Sequence, residues 1–317
     1  MINVTQIRAL NIAAAASTKR PLHLSAASGL VCVGSTIYVV ADDELHLGVF
    51  FKNSPDPGRL VRLFEGVLPD KKAARKRMKP DLEALTLVPA FENFPHGALL
   101  ALGSGSRPNR GRVALVALDR DGTVLGPPRE LDMSPILRPL HEAFDELNIE
   151  GAVIIGDELR LFQRGNKGQA NDAIISYSVW QVLAALQSAK TDPIRPSAIN
   201  RISLGYIAGV PFCLTDATAL ANGDMVFCAV AEDTENAYRD GPCIGAAIGI
   251  VSHDGQLLGM EQLDRPHKVE GISAHENGDR LDILLVTDPD DAEIPALLLS
   301  ASIGRKPSFP ESSDRPG

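Results

Sequence analysis

Short apolar runs separated by turn residues dominate the chain, and they recur as modules. Five similar segments open the modules: Ser28–Leu30, Asp81–Leu85, Asn148–Ala152, Asp216–Leu220 and Lys268–Ile272. They return roughly every 60 residues, a period typical of repeat architectures. Each is followed by an apolar run that closes in polar residues: Thr36–Asp42, Ala98–Ser104, Leu159–Arg164, Met225–Asp233 and Leu281–Asp288. In four modules a Gly pair stands between marker and run, at Gly34-Ser35, Gly156-Asp157, Gly223-Asp224 and Gly278-Asp279. Gly tolerates the positive φ of a tight hairpin, so these pairs read as turns between adjacent strands. A third run follows in every module, as in Val113–Leu118, Cys243–Val251 and Ala296–Ile303. Asp121-Gly122 and Asp254-Gly255 then signal a hairpin into a fourth strand. Runs this short suit buried strands better than buried helices.

Four strands repeated five times predict an all-β chain, a β-propeller of four-stranded blades with short helical insertions. Five blades are expected, with six as the alternative. The last module runs out after three strands at Ile303, and the spare segment Ile2–Ile12 can supply its missing outer strand. That closure removes two exposed sheet edges. Residues 1–303 are thus expected to form one domain, and the Pro- and Ser-rich tail 304–317 to be disordered.

Three insertions interrupt the pattern. Pro69–Pro80 carries Lys71, Lys72, Arg75, Lys76, Arg77 and Lys79 and reads as a solvated helix or loop. Pro135–Asn148 has helical spacing at Ile136, Leu140, Phe144 and Leu147, with Ser134 as its expected N-cap. Ser178–Lys190 predicts another helix, with Val182, Leu183 and Leu186 on one face.

Composition narrows the class. The 317 residues are 44% hydrophobic, enough for a sizeable core. The net charge of −9 argues against a nucleic-acid or anionic-membrane binder, since both need a positive face. No apolar stretch reaches the ~18 residues of a membrane span, and Met1–Leu10 shows no secretory pattern. Four Cys in such a length make no disulfide framework, so a reducing cytoplasm is the expected location.

Propeller geometry turns the repeat into a site prediction. The starts of first strands and the ends of second strands converge on one mouth of the central channel. First strands bring Asp81, Glu83, Glu150, Asp216 and Glu270. Second strands and their loops bring Asp42, Asp43, Ser104, Arg107, Gln163, Arg164, Asn166, Glu232, Asp233, Asp288 and Asp290. Crowded carboxylates repel unless a cation or proton relieves them, and Ca²⁺ or Mg²⁺ takes oxygen ligands of this kind. Glu83, Glu150 and Glu270 are the candidate metal ligands. Equally, acids at strand starts can accept backbone N–H bonds from the next blade and hold the ring in register. For Asp42 and Asp43 a solvated loop is the favoured reading.

The loops after the second strands add donors: Arg107, Asn109, Arg164, Asn166, Lys167 and Arg239. Planar guanidinium groups suit carboxylate or phosphate, so a small anionic ligand is the expected partner. Asp233 and Asp288 are the candidate bases for water attack on an ester or phosphoester. There is no His₂/Cys₂ zinc spacing, no P-loop, no dinucleotide fingerprint and no nucleophile elbow. Cys213, Cys228 and Cys243 are placed on neighbouring strands of one blade, where buried packing is the favoured reading.

The strand starts Glu150-Gly151-Ala152 and Glu270-Gly271-Ile272, with Glu83-Ala84-Leu85 as a variant, resemble the "esterase-like activity of phytase" propellers and related uncharacterised families. The resemblance covers roughly Ser25 to Ile303. It implies channel acids at Glu83, Glu150 and Glu270, Ca²⁺ in some members, and ester or phosphoester hydrolysis. Ser28 and Thr218 stand where two further acids would complete the ring. The competing expectation is a non-catalytic propeller that serves as a protein-interaction or regulatory scaffold. Only 5% of residues are aromatic, which leaves few of the anchors such a face uses.

Overall fold

The computed structural model describes residues 1–17, 19–169, 171–188, 192–234 and 241–305. Five four-stranded antiparallel sheets are arranged as blades of a propeller. Blade one is Ala27–Val33, Thr36–Ala41, His46–Phe51 and Arg59–Arg62. Blade two is Leu82–Val88, Ala98–Gly103, Arg112–Ala117 and Arg129–Asp132. Blade three is Ile149–Ile155, Glu158–Gln163, Ala173–Ser178 and Ala198–Arg201. Blade four is Cys213–Ala219, Met225–Glu232, Cys243–Val251 and Leu257–Gln262. Blade five takes Val269–Asn277, Arg280–Thr287 and Leu297–Gly304 from the end of the chain and Thr5–Ala9 from its start.

That last pairing is the closure expected from the spare N-terminal segment. Thr5–Ala9 lies antiparallel to Leu297–Gly304, with Thr5 opposite Ser300 and Ala9 opposite Leu297. Five apolar clusters fill the five gaps between successive blades. The gap between blades five and one holds Leu30, Ile37, Val286 and Leu298, so the closing gap is packed like the others. Both faces of each blade are therefore buried, which explains the continuous apolar runs in place of strict alternation.

Each innermost strand carries a β-bulge near its start, and the position is the same in all five blades. The pairing register slips at Ser28, Glu83, Glu150, Thr215 and Glu270. A bulged residue leaves the ladder and its side chain is re-aimed. The fourth blade therefore contributes Thr215, and the expectation of Thr218 was three residues too far along. Asp216 corresponds to Gly151 and Gly271, one place past the bulge.

The insertions are helical. Lys72–Met78 forms α1, Ser134–Ala143 forms α2 and Val179–Gln187 forms α3. Val182, Leu183 and Leu186 are buried as their spacing predicts. Ser134 does not cap α2; it is the first helical residue, and Asp132 Oδ1 accepts from its N–H (3.0 Å) and its hydroxyl (2.6 Å). A carboxylate accepts more than one donor, which makes Asp132 the better group there. The basic segment is not wholly solvated, because Arg75 and Lys79 are buried. At the far end the last strand runs through Gly304, one residue into the expected tail, and 306–317 lie outside the described residues.

Candidate ion-binding channel mouth

The starts of the inner strands and the ends of the second strands enclose a cavity of about 190 Å³. Its charged floor comes from three bulges. Glu83, Glu150 and Glu270 belong to different blades, are all buried, and each offers a carboxylate oxygen within 4.8 Å of the other two. A second group, Asp42, Asp81 and Glu83, meets the same limit and shares Glu83 with the first.

Four cations are threaded among these acids. Arg164 reaches Glu232 at 2.7 Å, Glu150 at 3.2 Å and Glu270 at 3.4 Å. Lys268 contacts Asp290 at 2.5 Å and lies 3.8–3.9 Å from Glu270, Asp288 and Glu232. Lys79 pairs with Asp42 and, at 2.8 Å, with Asp81. Arg110 meets Asp81 at 2.7 Å, and the Ser104 hydroxyl donates to the same carboxylate at 2.5 Å. Asp81 holds a left-handed backbone (φ 59°), an uncommon conformation for a residue with a Cβ.

The acids outnumber the cations: among the described residues eleven Asp and Glu line the cavity against eight Lys and Arg, and Arg20, Lys72, Arg75 and Lys76 stand at its edge. Burial and mutual repulsion favour the protonated form of several of these acids. Burial pushes Glu150 up to about 8, Arg164 pulling it down and Glu270 pushing it further up. Burial lifts Asp42 to about 6 against the pull of Lys79. Glu83 and Asp288 lie well above the ordinary carboxylate range, again chiefly through burial. Burial works against the Lys79 and Lys268 ammonium groups, yet the surrounding carboxylates outweigh it and hold both above their ordinary value.

Glu83 differs from its neighbours. It is 8% exposed, it lines the cavity, and no hydrogen bond or ion pair within the described residues reaches its carboxylate. Glu150 by contrast accepts from Asn148 Nδ2 at 2.5 Å as well as from Arg164.

Asp216 does not join the mouth. Its carboxylate sits deeper, where Oδ2 accepts the Ile272 N–H of blade five at 3.0 Å and Oδ1 has no partner. Gly151 makes the approach possible, since a Cβ there would lie 2.9 Å from Asp216 Cα. Asp172 likewise accepts the Leu214 N–H of blade four at 2.7 Å. The register-holding role expected of strand-start acids thus falls to Asp216 and Asp172, and among the described residues the three bulged glutamates accept no bond from a neighbouring blade's backbone.

The remaining predicted residues divide. Arg164, Asn166 and Asp288 line the cavity with the three glutamates. Asn166 is engaged in its own loop, donating to Glu146 at 2.6 Å and accepting from the Gly168 and Gln169 N–H groups. Arg107 and Asn109 are exposed outside the cavity, and Asn109 donates to the Arg77 and Lys79 carbonyls. Lys167 and Asp233 pair with each other at 2.8 Å on the surface. Arg239 lies outside the described residues. Asp42 and Asp43 are not solvated loop acids: Asp43 binds Arg20 at 2.6 Å and Arg75 at 3.4 Å, and Asp42 binds Lys79. Lys79, Lys268 and Arg110 were absent from the sequence-based set. The available signal was a basic residue two positions before Glu270 and four before Glu83.

The chain matches the family described as "Family of unknown function (DUF6929)" over residues 23–303 and belongs to that family. No curated protein matches it. Among solved structures, a luciferin-regenerating enzyme is 11% identical, with 94% of each chain covered and a TM-score of 0.48. Glutaminyl cyclase of Myxococcus xanthus is 10% identical, with 95% of this chain and 98% of that chain covered and a TM-score of 0.47. The α-L-arabinofuranosidase PaAbf62A of Podospora anserina, in complex with cellotriose, is 11% identical, with 96% of each chain covered and a TM-score of 0.48.

Proposed function

We propose that the channel mouth binds a divalent cation, Ca²⁺ or Mg²⁺, through Glu83, Glu150 and Glu270, and with it a small anionic molecule. The carrying observation is Glu83, a buried carboxylate at the cavity wall that accepts no hydrogen bond among the described residues and meets Lys79 only electrostatically, beside two further glutamates. An unpaired buried charge is costly, and either a proton or an oxygen-liking cation relieves it. The comparisons support the propeller and the family of unknown function but no phytase-like name, and Ser28 and Thr215 stand at the two bulges that lack an acid.

The anionic partner in this reading is one that a bound cation and the two lysines of α1 would attract. α1 brings Lys72 and Lys76 to the cavity edge, and the Lys72 ammonium donates to the Asp290 carbonyl at 3.1 Å. A cation bound below would supply Lewis-acid polarisation of an ester or phosphoester oxygen. Asp288, half-buried beside Lys268, is the base in this reading at a pH high enough to ionise its raised carboxyl, since Asp233 stands outside the cavity.

Calorimetric titration of Ca²⁺, Mg²⁺ and Mn²⁺ at pH 8 tests the ion. One ion per chain is expected, with binding abolished in Glu83→Gln and Glu150→Gln. Absence of binding by all three metals would refute the reading. A second reading, a structural ion without turnover, is favoured by the engagement of Arg164 and Lys268 with carboxylates. A screen of esters and phosphoesters with and without chelator separates the two, since only the first predicts turnover that the chelator removes.

A further inference from the structure

The two carboxylate groups of the mouth meet at Glu83, and one of them holds a side-chain cation. Asp42, Asp81 and Glu83 already surround a cation of the chain's own, the Lys79 ammonium. Lys79 is 7% exposed and arrives from the C-terminal end of α1. Arg75 docks that helix, donating to the Asp43 carbonyl at 2.8 Å and to Glu44 at 3.0 Å. Glu83 completes the ring of acids around Lys79 electrostatically and accepts no hydrogen bond among the described residues.

We infer that Lys79 is a built-in counter-ion that occupies the second half of a two-ion site and restricts the mouth to one metal. The inference rests on the proposed reading that Glu83, Glu150 and Glu270 take a divalent ion. A carboxylate shared by two oxygen-lined groups is the arrangement that bridges two metals about 3.5–4 Å apart. Here an ammonium, with three donors and a single charge, fills one of those places. Lys79 is therefore a specificity-determining residue: it sets how many ions the site accepts. Because the ammonium is tethered, this half of the site has a cation without drawing on metal in solution.

The test is Mn²⁺ stoichiometry and electron paramagnetic resonance on wild type, Lys79→Met and Lys79→Met/Asp42→Asn. The expected wild-type result is at most one Mn²⁺ per chain with an isolated six-line signal. Lys79→Met should bind one more Mn²⁺ per chain than wild type, exchange-coupled to the first through Glu83, and the double variant should lose the extra ion. Equal stoichiometry in wild type and folded Lys79→Met overturns the inference. So does a coupled pair in wild type, a result readable even if the variant fails to fold. A wild type that binds no Mn²⁺ while Lys79→Met gains one overturns the proposed function and leaves the assignment of Lys79 standing.

Discussion

Replacing Arg164 with Met removes a guanidinium that touches three carboxylates at 2.7, 3.2 and 3.4 Å and is itself 12% exposed. Met keeps much of the side-chain volume, so the loss is electrostatic. Breaking a buried pair by removing one partner typically costs about 3–5 kcal/mol, because the other charge remains buried. That is a large fraction of the roughly 5–15 kcal/mol that stabilises a domain. The loss depends on pH. Glu150 is held up at about 8, so its carboxyl is largely protonated at pH 5 and largely ionised only above pH 8. At pH 5 the variant buries fewer uncompensated charges, and its deficit should shrink to about half or less. Urea denaturation of both proteins at pH 5 and pH 8.5, in chelator, reads this directly. A deficit below about 1 kcal/mol at pH 8.5, or an equal deficit at both pH values, would refute the reasoning.

Further outcomes follow from the same geometry. A carboxyl held above its unfolded range contributes stability that is full below about pH 4–5 and lost as pH rises through its folded value, about 8 for Glu150 and about 6 for Asp42. Ion-free protein should therefore melt lower at pH 8.5 than at pH 5.5. Saturating Ca²⁺ should restore about 5 °C at pH 8.5 and little at pH 5.5, as scanning calorimetry would show. Deleting residues 1–9 removes the outer strand of blade five and bares the Leu297–Gly304 edge; light scattering should show association and the melting temperature should fall. Gly151→Ala places a Cβ 2.9 Å from Asp216 Cα across two blades, and denaturation should report a loss of about 1–3 kcal/mol.

The architecture was legible because each blade repeats the same physical problem. A sheet buried on both faces needs apolar runs of limited length, and its hairpins need residues such as Gly34 and Gly156, both at φ 57°. Five interblade clusters then follow from five repeats. Register was less legible. A bulge shifts the chain by one residue without any change in composition, so Asp216 looked like a mouth acid and Thr215 was overlooked. The glutamate trio could be read from its recurrence at strand starts. Its cations could not, since Lys79 lay within a basic run that resembles an ordinary solvated surface, and only tertiary packing turns Arg75 and Lys79 inward. Loop residues fared worst: Arg107 and Arg164 follow equivalent strands, yet one is exposed and the other half-buried among three acids. Local sequence does not encode which way a loop folds over the channel.

The most direct measurement is anomalous diffraction from crystals grown with Mn²⁺ at pH 8. The account predicts one peak at the channel mouth, coordinated by carboxylate oxygens of Glu83, Glu150 and Glu270. A featureless mouth in crystals with Mn²⁺ in excess, with the three carboxylates still clustered, would contradict it.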